Sequence, residues 1–207
     1  MLTFDEQAHR YFWDGKPVPG VTSVLSPLMD FSLVDPELLE AASKFGTAVH
    51  KACELDDLGQ LDEAELDDNL RPYLAAWRQF SADFQVQWTL IEKKVFHQTL
   101  RYAGTLDRFG MIKAPRWARH EEAVVDIKSS TSLYPAVGPQ LAAYARATPE
   151  ASLLTKRLAV QLRDDGTYRH EFYTDPADFA VFCGLNTVSQ WCGKHRITPK
   201  FHTGEKP

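Results

Sequence analysis

Asp126 and Lys128, at the end of the apolar run Ala123-Val124-Val125-Asp126-Ile127-Lys128, and Asp107, closing Gly104-Thr105-Leu106-Asp107, offer two carboxylates and an ammonium. Phosphodiester hydrolysis needs a nucleophilic water and a stabilised phosphorane, and divalent ions held by carboxylates serve both needs. Each aspartate is expected at or near a strand end, where neighbouring antiparallel strands would bring the two together. Lys128, two residues after Asp126, falls on the same strand face. There it can orient the attacking water or neutralise charge developing on the phosphate.

Neither motif is decisive by itself, since Asp-x-Lys also occurs as a surface pair and Gly104 also suits a bulge. Two further pairs join them. In Gly46-Thr47-Ala48-Val49-His50, Gly46 and His50 are four apart on one helix face. The glycine permits close backbone approach one turn before an imidazole able to ligate a metal. Gln140 and Tyr144 are again four apart, on a helix that follows the Asp-x-Lys strand. An amide and a phenol on one face can hydrogen-bond phosphate or stack on a base. Alone, each helix reads more plainly as an amphipathic element with a half-buried His or Tyr.

The elements that must position these residues follow from periodicity. Residues 9–25 read as a short hairpin turning at Asp14-Gly15, followed by an extended segment. Asp35 before Pro36 is a helix start, and Leu38, Leu39, Ala42, Phe45, Val49 and Cys53 recur at helical spacing. Leu66, Leu70, Leu74, Trp77, Phe80 and Phe84 suggest a second helix. Strands are expected at 89–97, 99–112 and 123–127, as an antiparallel meander. Pro139 opens an alanine-rich helix, and the segments 158–162 and 168–173 flank the hairpin signal Asp164-Asp165-Gly166. Asp175-Pro176 starts a last helix reaching about Trp191. This order predicts a single α/β domain with a mixed sheet.

The bulk properties fit one well-buried domain: 207 residues, 44% hydrophobic and 25% charged. A net charge of −5 argues weakly against a nucleic-acid partner, yet the acidic residues crowd positions 56–68. Lys93, Lys94, Arg101, Arg108, Lys113, Arg116 and Arg119 crowd the approach to the candidate site, where the field is expected to be positive. Cys53, Cys183 and Cys192 cannot pair evenly and match no disulfide framework. Without a signal-peptide pattern or a long apolar run, a soluble cytoplasmic protein with no membrane partner is expected.

Taken together and in order, Gly46 to His50, Glu92, Gly104 to Asp107, Asp126-Ile127-Lys128 and Gln140 to Tyr144 resemble the RecB-type branch of the PD-(D/E)XK nuclease superfamily. Pro19-Gly20-Val21-Thr22-Ser23-Val24-Leu25 is similar to the P-x-V-T-x-x-L segment of mitochondrial genome maintenance exonucleases and related phage nucleases. The resemblance spans residues 17–191. It implies a restriction-endonuclease-like core at 88–191, with a hairpin or extended segment at 1–34, a helical arch at 35–87 and a flexible tail at 192–207.

The same resemblance implies metal ligation by His50, Asp107, Asp126 and the Ile127 carbonyl, with Lys128 as catalytic lysine. Glu92 would orient a water on the metal, or Lys128, while Gln140 and Tyr144 position the scissile strand. Thr22, Arg108 and Ser129 are further expected DNA contacts, and Trp77 and Phe80 are candidate stacking platforms in the arch. The implied cofactor is Mg²⁺ or Mn²⁺. A four-cysteine iron–sulfur cluster, present in some relatives of this branch, is not expected in a chain with three cysteines. Cys183, Cys192, His195 and His202 mimic a zinc pattern, but their intervals are wrong for a finger.

The expected activity is single-stranded DNA exonuclease in a bacterial or phage-infected cell, serving phage recombination or replication alongside a protein of that process. A structure-specific endonuclease or nickase, and a non-catalytic DNA-binding subunit, are the alternatives.

Overall fold

A turn at Asp14 and Gly15, both with positive φ (49° and 74°), folds the N-terminus into an antiparallel ribbon. Its strands are β1 (Leu2–Asp5), β2 (Arg10–Trp13) and β3 (Lys16–Val18). The expected hairpin is β2–β3, and β1 adds a strand that the sequence pattern did not reveal. The computed structural model describes residues 1–6, 8–31 and 34–198. The expected extended segment after residue 18 is instead a short helix, α1 (Val21–Leu25). Val21, Val24 and Leu25 bury one helical face there, so packing at i, i+3 and i+4 overrides the strand preference of valine.

Asp35 accepts a hydrogen bond from the Glu37 amide and caps α2 (Pro36–Asp57), as the Asp-Pro signal predicted. Only part of its apolar stripe is covered. Leu38 and Leu39 are exposed, and the buried residues are Val49, Ala52 and Cys53. The second helix, α3 (Arg71–Asp83), begins after Leu66, with a proline in its first turn.

Strands β4 (Gln87–His97), β5 (Tyr102–Ile112) and β6 (Glu121–Lys128) form the expected antiparallel meander. Helix α4 (Val137–Ala147) starts two residues before Pro139 and crosses over to β7 (Lys156–Leu162), which pairs parallel to β6. Strand β8 (Tyr168–Phe172) returns antiparallel, completing a five-stranded mixed sheet in the order β4-β5-β6-β7-β8. The final helix α5 (Asp178–His195) follows Asp175, whose Oδ1 accepts from the Ala177 amide.

Two apolar clusters sandwich the sheet. Val49 and Cys53 of α2 and Trp77 and Phe80 of α3 pack with Val125, Ile127, Leu158 and Val160. Leu141, Ala143 and Tyr144 of α4 and Phe182 of α5 pack with Leu106, Val124 and Ala159.

Trp77 and Phe80 have no exposed surface, which corrects their reading as stacking platforms. Burial of two large rings contributes core energy of order 25 cal/mol per Å², and their positions on the inner face of α3 leave no face for a base.

The tail expected from residue 192 is helical through His195, with Cys192 buried. Residues 199–207, including His202 of the zinc-like pattern, lie outside the described residues. No helix among the described residues is long and apolar enough to cross a membrane.

Candidate metal centre

Strands β5 and β6 are paired from Ile112 and Glu121 as far as Arg108 and Val125, and there the ladder stops. Asp107 is therefore mid-strand in β5, not at its end, and sits at the fork where the two strands part. The Ile127 amide, released from the ladder, donates to Asp107 Oδ2 at 2.7 Å. A buried N–H demands an acceptor, so this bond locks the carboxylate in the fork.

Across β5, Ile91 pairs with Arg108 and Lys93 with Leu106, which sets Glu92 opposite Asp107. Glu92 has a φ of +45°, unusual for a residue with a side chain and unfavourable by about 1–3 kcal/mol. Its carboxylate is turned toward α2. His50 enters from that helix, whose Val49 and Cys53 anchor it on the sheet. His50 Nε2 lies 2.9 Å from the Ile127 carbonyl oxygen. A carbonyl only accepts, so Nε2 carries the proton and Nδ1 faces the acids, 3.6 Å from Asp107 Oδ1 and 3.8 Å from Glu92 Oε1.

His50, Glu92 and Asp107 thus present ligand atoms all within 4.8 Å of one another. One nitrogen and two carboxylates fit a divalent cation. The Ile127 carbonyl, expected as a ligand, accepts from His50 Nε2 and so fixes the imidazole tautomer, a contact common around metal-binding histidines. Asp126, expected as a ligand, lies outside that group of three but near enough to Asp107 and His50 to feel their charge. Its Oδ2 lies 2.7 Å from Lys128 Nζ, close enough for an ion pair although off the angle of a hydrogen bond. Val124 of the same strand face packs toward α4, and this carries Asp126 and Lys128 to that side of the sheet.

From α4, Gln140 Oε1 accepts from Lys128 Nζ at 3.2 Å, and Gln140 Nε2 donates to the Tyr144 hydroxyl at 3.5 Å. Gly104 is explained here too. It is not a bulge; a Cβ on it would lie 2.6 Å from Tyr144 Cε1 and 3.1 Å from Val21 Cγ2. Gly46 approaches Ser129, whose Oγ would lie 3.4 Å from an added Cβ, so the expected close approach is between α2 and the end of β6. Thr22 is exposed on α1.

Arg108 corrects its assignment as a DNA contact, because its side chain has no exposed surface. Its Nε donates to Asp57 Oδ2 at 2.7 Å, and its Nη1 to Glu92 Oε1 at 2.9 Å and to the Asp107 carbonyl at 2.7 Å. Charge counting along the sequence cannot tell an inward arginine from an outward one. Asp57 itself went unrecognised, although its place seven residues after His50 puts both on one face of α2.

The electrostatics reflect crowding. Burial opposes charge on His50, but Asp107 and then Glu92 outweigh it and lift the imidazole to about 9. Burial pushes Asp126 up to about 6, with Lys128 restraining the rise. Burial likewise raises Asp107. Lys128 is lifted above its ordinary value because Asp126 and Asp107 outweigh its desolvation. The imidazolium and the ammonium hold together carboxylates that would otherwise repel, a charge that a divalent cation could equally supply.

No protein-family model matches this chain, and no curated protein matches it in sequence.

Proposed function

We propose that this chain is a divalent-metal-dependent deoxyribonuclease with a PD-(D/E)XK core of the RecB type, acting as an exonuclease on single-stranded DNA. One observation carries the reading: residues 50, 92, 107, 126, 128 and 140, scattered over three strands and two helices, converge on the fork between β5 and β6. A structural ion-pair network does not need a histidine whose Nδ1 is aimed at two carboxylates, nor a nearby lysine steadied by an amide. An Mg²⁺ or Mn²⁺ ion held by His50, Glu92 and Asp107 would supply charge stabilisation for a phosphate under attack.

The chain's own residues account for the rest. Lys128 Nζ carries positive charge to the α4 side of the fork, where it can hold an attacking water or meet charge growing on a phosphate oxygen. Asp126 and Gln140 fix the direction of that ammonium. Tyr144, buried to 5% exposure, extends the same row of polar groups with its hydroxyl. Preorganised groups of this kind cost little reorganisation when reaction occurs.

The test is degradation of linear and of circular single-stranded DNA with Mn²⁺. An exonuclease consumes the linear substrate and spares the circle. Cutting of the circle makes the enzyme an endonuclease, and an inert protein, with wild-type fold and either metal, overturns the reading.

A further inference from the structure

Two acids of the candidate centre are tied to the helical layer through one buried cation. Arg108 lies between Glu92 of β4 and Asp57 at the end of α2, donating to each carboxylate, and its guanidinium stands 5.5 Å over the Trp77 ring. Trp77 Nε1 in turn donates to both Asp57 oxygens at 3.1 Å. Three elements, α2, α3 and β5, therefore determine where the guanidinium sits, and it determines where Glu92 Oε1 sits.

As a device for stability this arrangement is poor. Desolvating a guanidinium and two carboxylates commonly costs more than the ion pairs return. Arg108 Nη2 is also buried with no hydrogen-bond partner among the described residues, a further penalty. What the arrangement does achieve is geometry. Glu92 holds a left-handed backbone conformation that persists only when its surroundings over-determine it, and Arg108 is the group that grips its side chain. The Arg108 Nη1 bond to the Asp107 carbonyl fixes the second acid's backbone from the same fork of the guanidinium.

We propose that Arg108 is a positioning residue that orients Glu92 toward the metal, with Asp57 and Trp77 as its brace. The proposal rests on the metal-centre reading above, and extends it to residues that touch neither metal nor DNA. Arg108→Lys keeps the charge but replaces a planar fork with a single point donor, which cannot span Asp57 and Glu92 together.

The experiment is Mn²⁺ binding by isothermal titration to the wild type, Arg108→Lys, Glu92→Gln and the double variant, with thermal melts beside each. Arg108→Lys should weaken Mn²⁺ binding about tenfold, while causing little further loss when Glu92 is already Gln, because neighbours that act through one group are not additive. Asp57→Asn, which leaves a hydrogen-bonding side chain at the brace, should show a smaller loss with the same dependence on Glu92; it decides the matter if Arg108→Lys does not fold. Unchanged Mn²⁺ affinity in these variants, or an equal loss with and without Glu92, overturns the positioning role and leaves the metal centre standing. A wild type that binds no Mn²⁺ overturns the metal centre and this proposal with it.

Discussion

The Ile127 amide and the Asp107 carboxylate are joined by a 2.7 Å hydrogen bond at the point where β5 and β6 stop pairing. A side chain there takes the place of a main-chain acceptor, and the strands part around it. Through its carbonyl, the same residue Ile127 holds His50. One residue of backbone thus sets two of the three groups, His50, Glu92 and Asp107, that gather at the fork.

Mn²⁺ should stabilise the protein. If the centre binds only the folded state, ligand at a hundredfold excess over Kd adds about 2.7 kcal/mol. A clear rise in melting temperature is expected for the wild type and none for His50→Ala. Equal shifts in both proteins would remove His50 from the centre.

Gly104→Ala should damage the site from behind. The new methyl would meet Tyr144 Cε1 at 2.6 Å, and Tyr144 is buried against it, so the ring must move. A loss of about 1–3 kcal/mol is expected by denaturant titration. Activity should fall further than stability explains, because Gln140 loses the hydroxyl it bonds. A variant with wild-type stability would show that the ring is free to shift.

Trp77→Ala tests core against platform. Deleting a buried aromatic costs about 3–5 kcal/mol, and here the Asp57 carboxylate also loses one of its donors. Chemical denaturation should register that loss. A stable Trp77→Ala protein that had merely lost DNA affinity would restore the stacking role.

Acid should weaken the fold through His97. Burial lowers its pKa from the ordinary 6.5, with Arg146 acting in the same direction, and its Nδ1 accepts from the Leu100 amide. The neutral form is the one the fold prefers. Its contribution is therefore fully present above 6.5 and fades as pH falls through the depressed folded value, where the proton displaces the Leu100 bond. Titration of the imidazole by NMR should give a midpoint below 6.5; a midpoint at or above it contradicts the assignment.

Much of this was legible from residue order. The Asp35-Pro36 cap, the meander, the Asp164-Asp165-Gly166 hairpin and the pairs Gly46/His50 and Gln140/Tyr144 are local signals, and each lies where periodicity predicts. The part that was not legible depends on tertiary geometry. That Glu92 lies beside His50 and Asp107 depends on a left-handed φ at Glu92 and on where the β5–β6 ladder ends. Arg108 shows the same limit: three elements decide that it points inward. The strand-like sequence of α1 misled because burial of Val21, Val24 and Leu25 outweighs intrinsic preference.

The central claim is that the groups at this fork hydrolyse DNA. Its most direct measurement is the rate of nucleotide release from end-labelled linear single-stranded DNA with Mn²⁺, for the wild type and for Lys128→Ala of equal melting temperature. The wild type should degrade the strand, and Lys128→Ala should be slower by at least about a hundredfold. Equal rates in the two proteins would contradict the account.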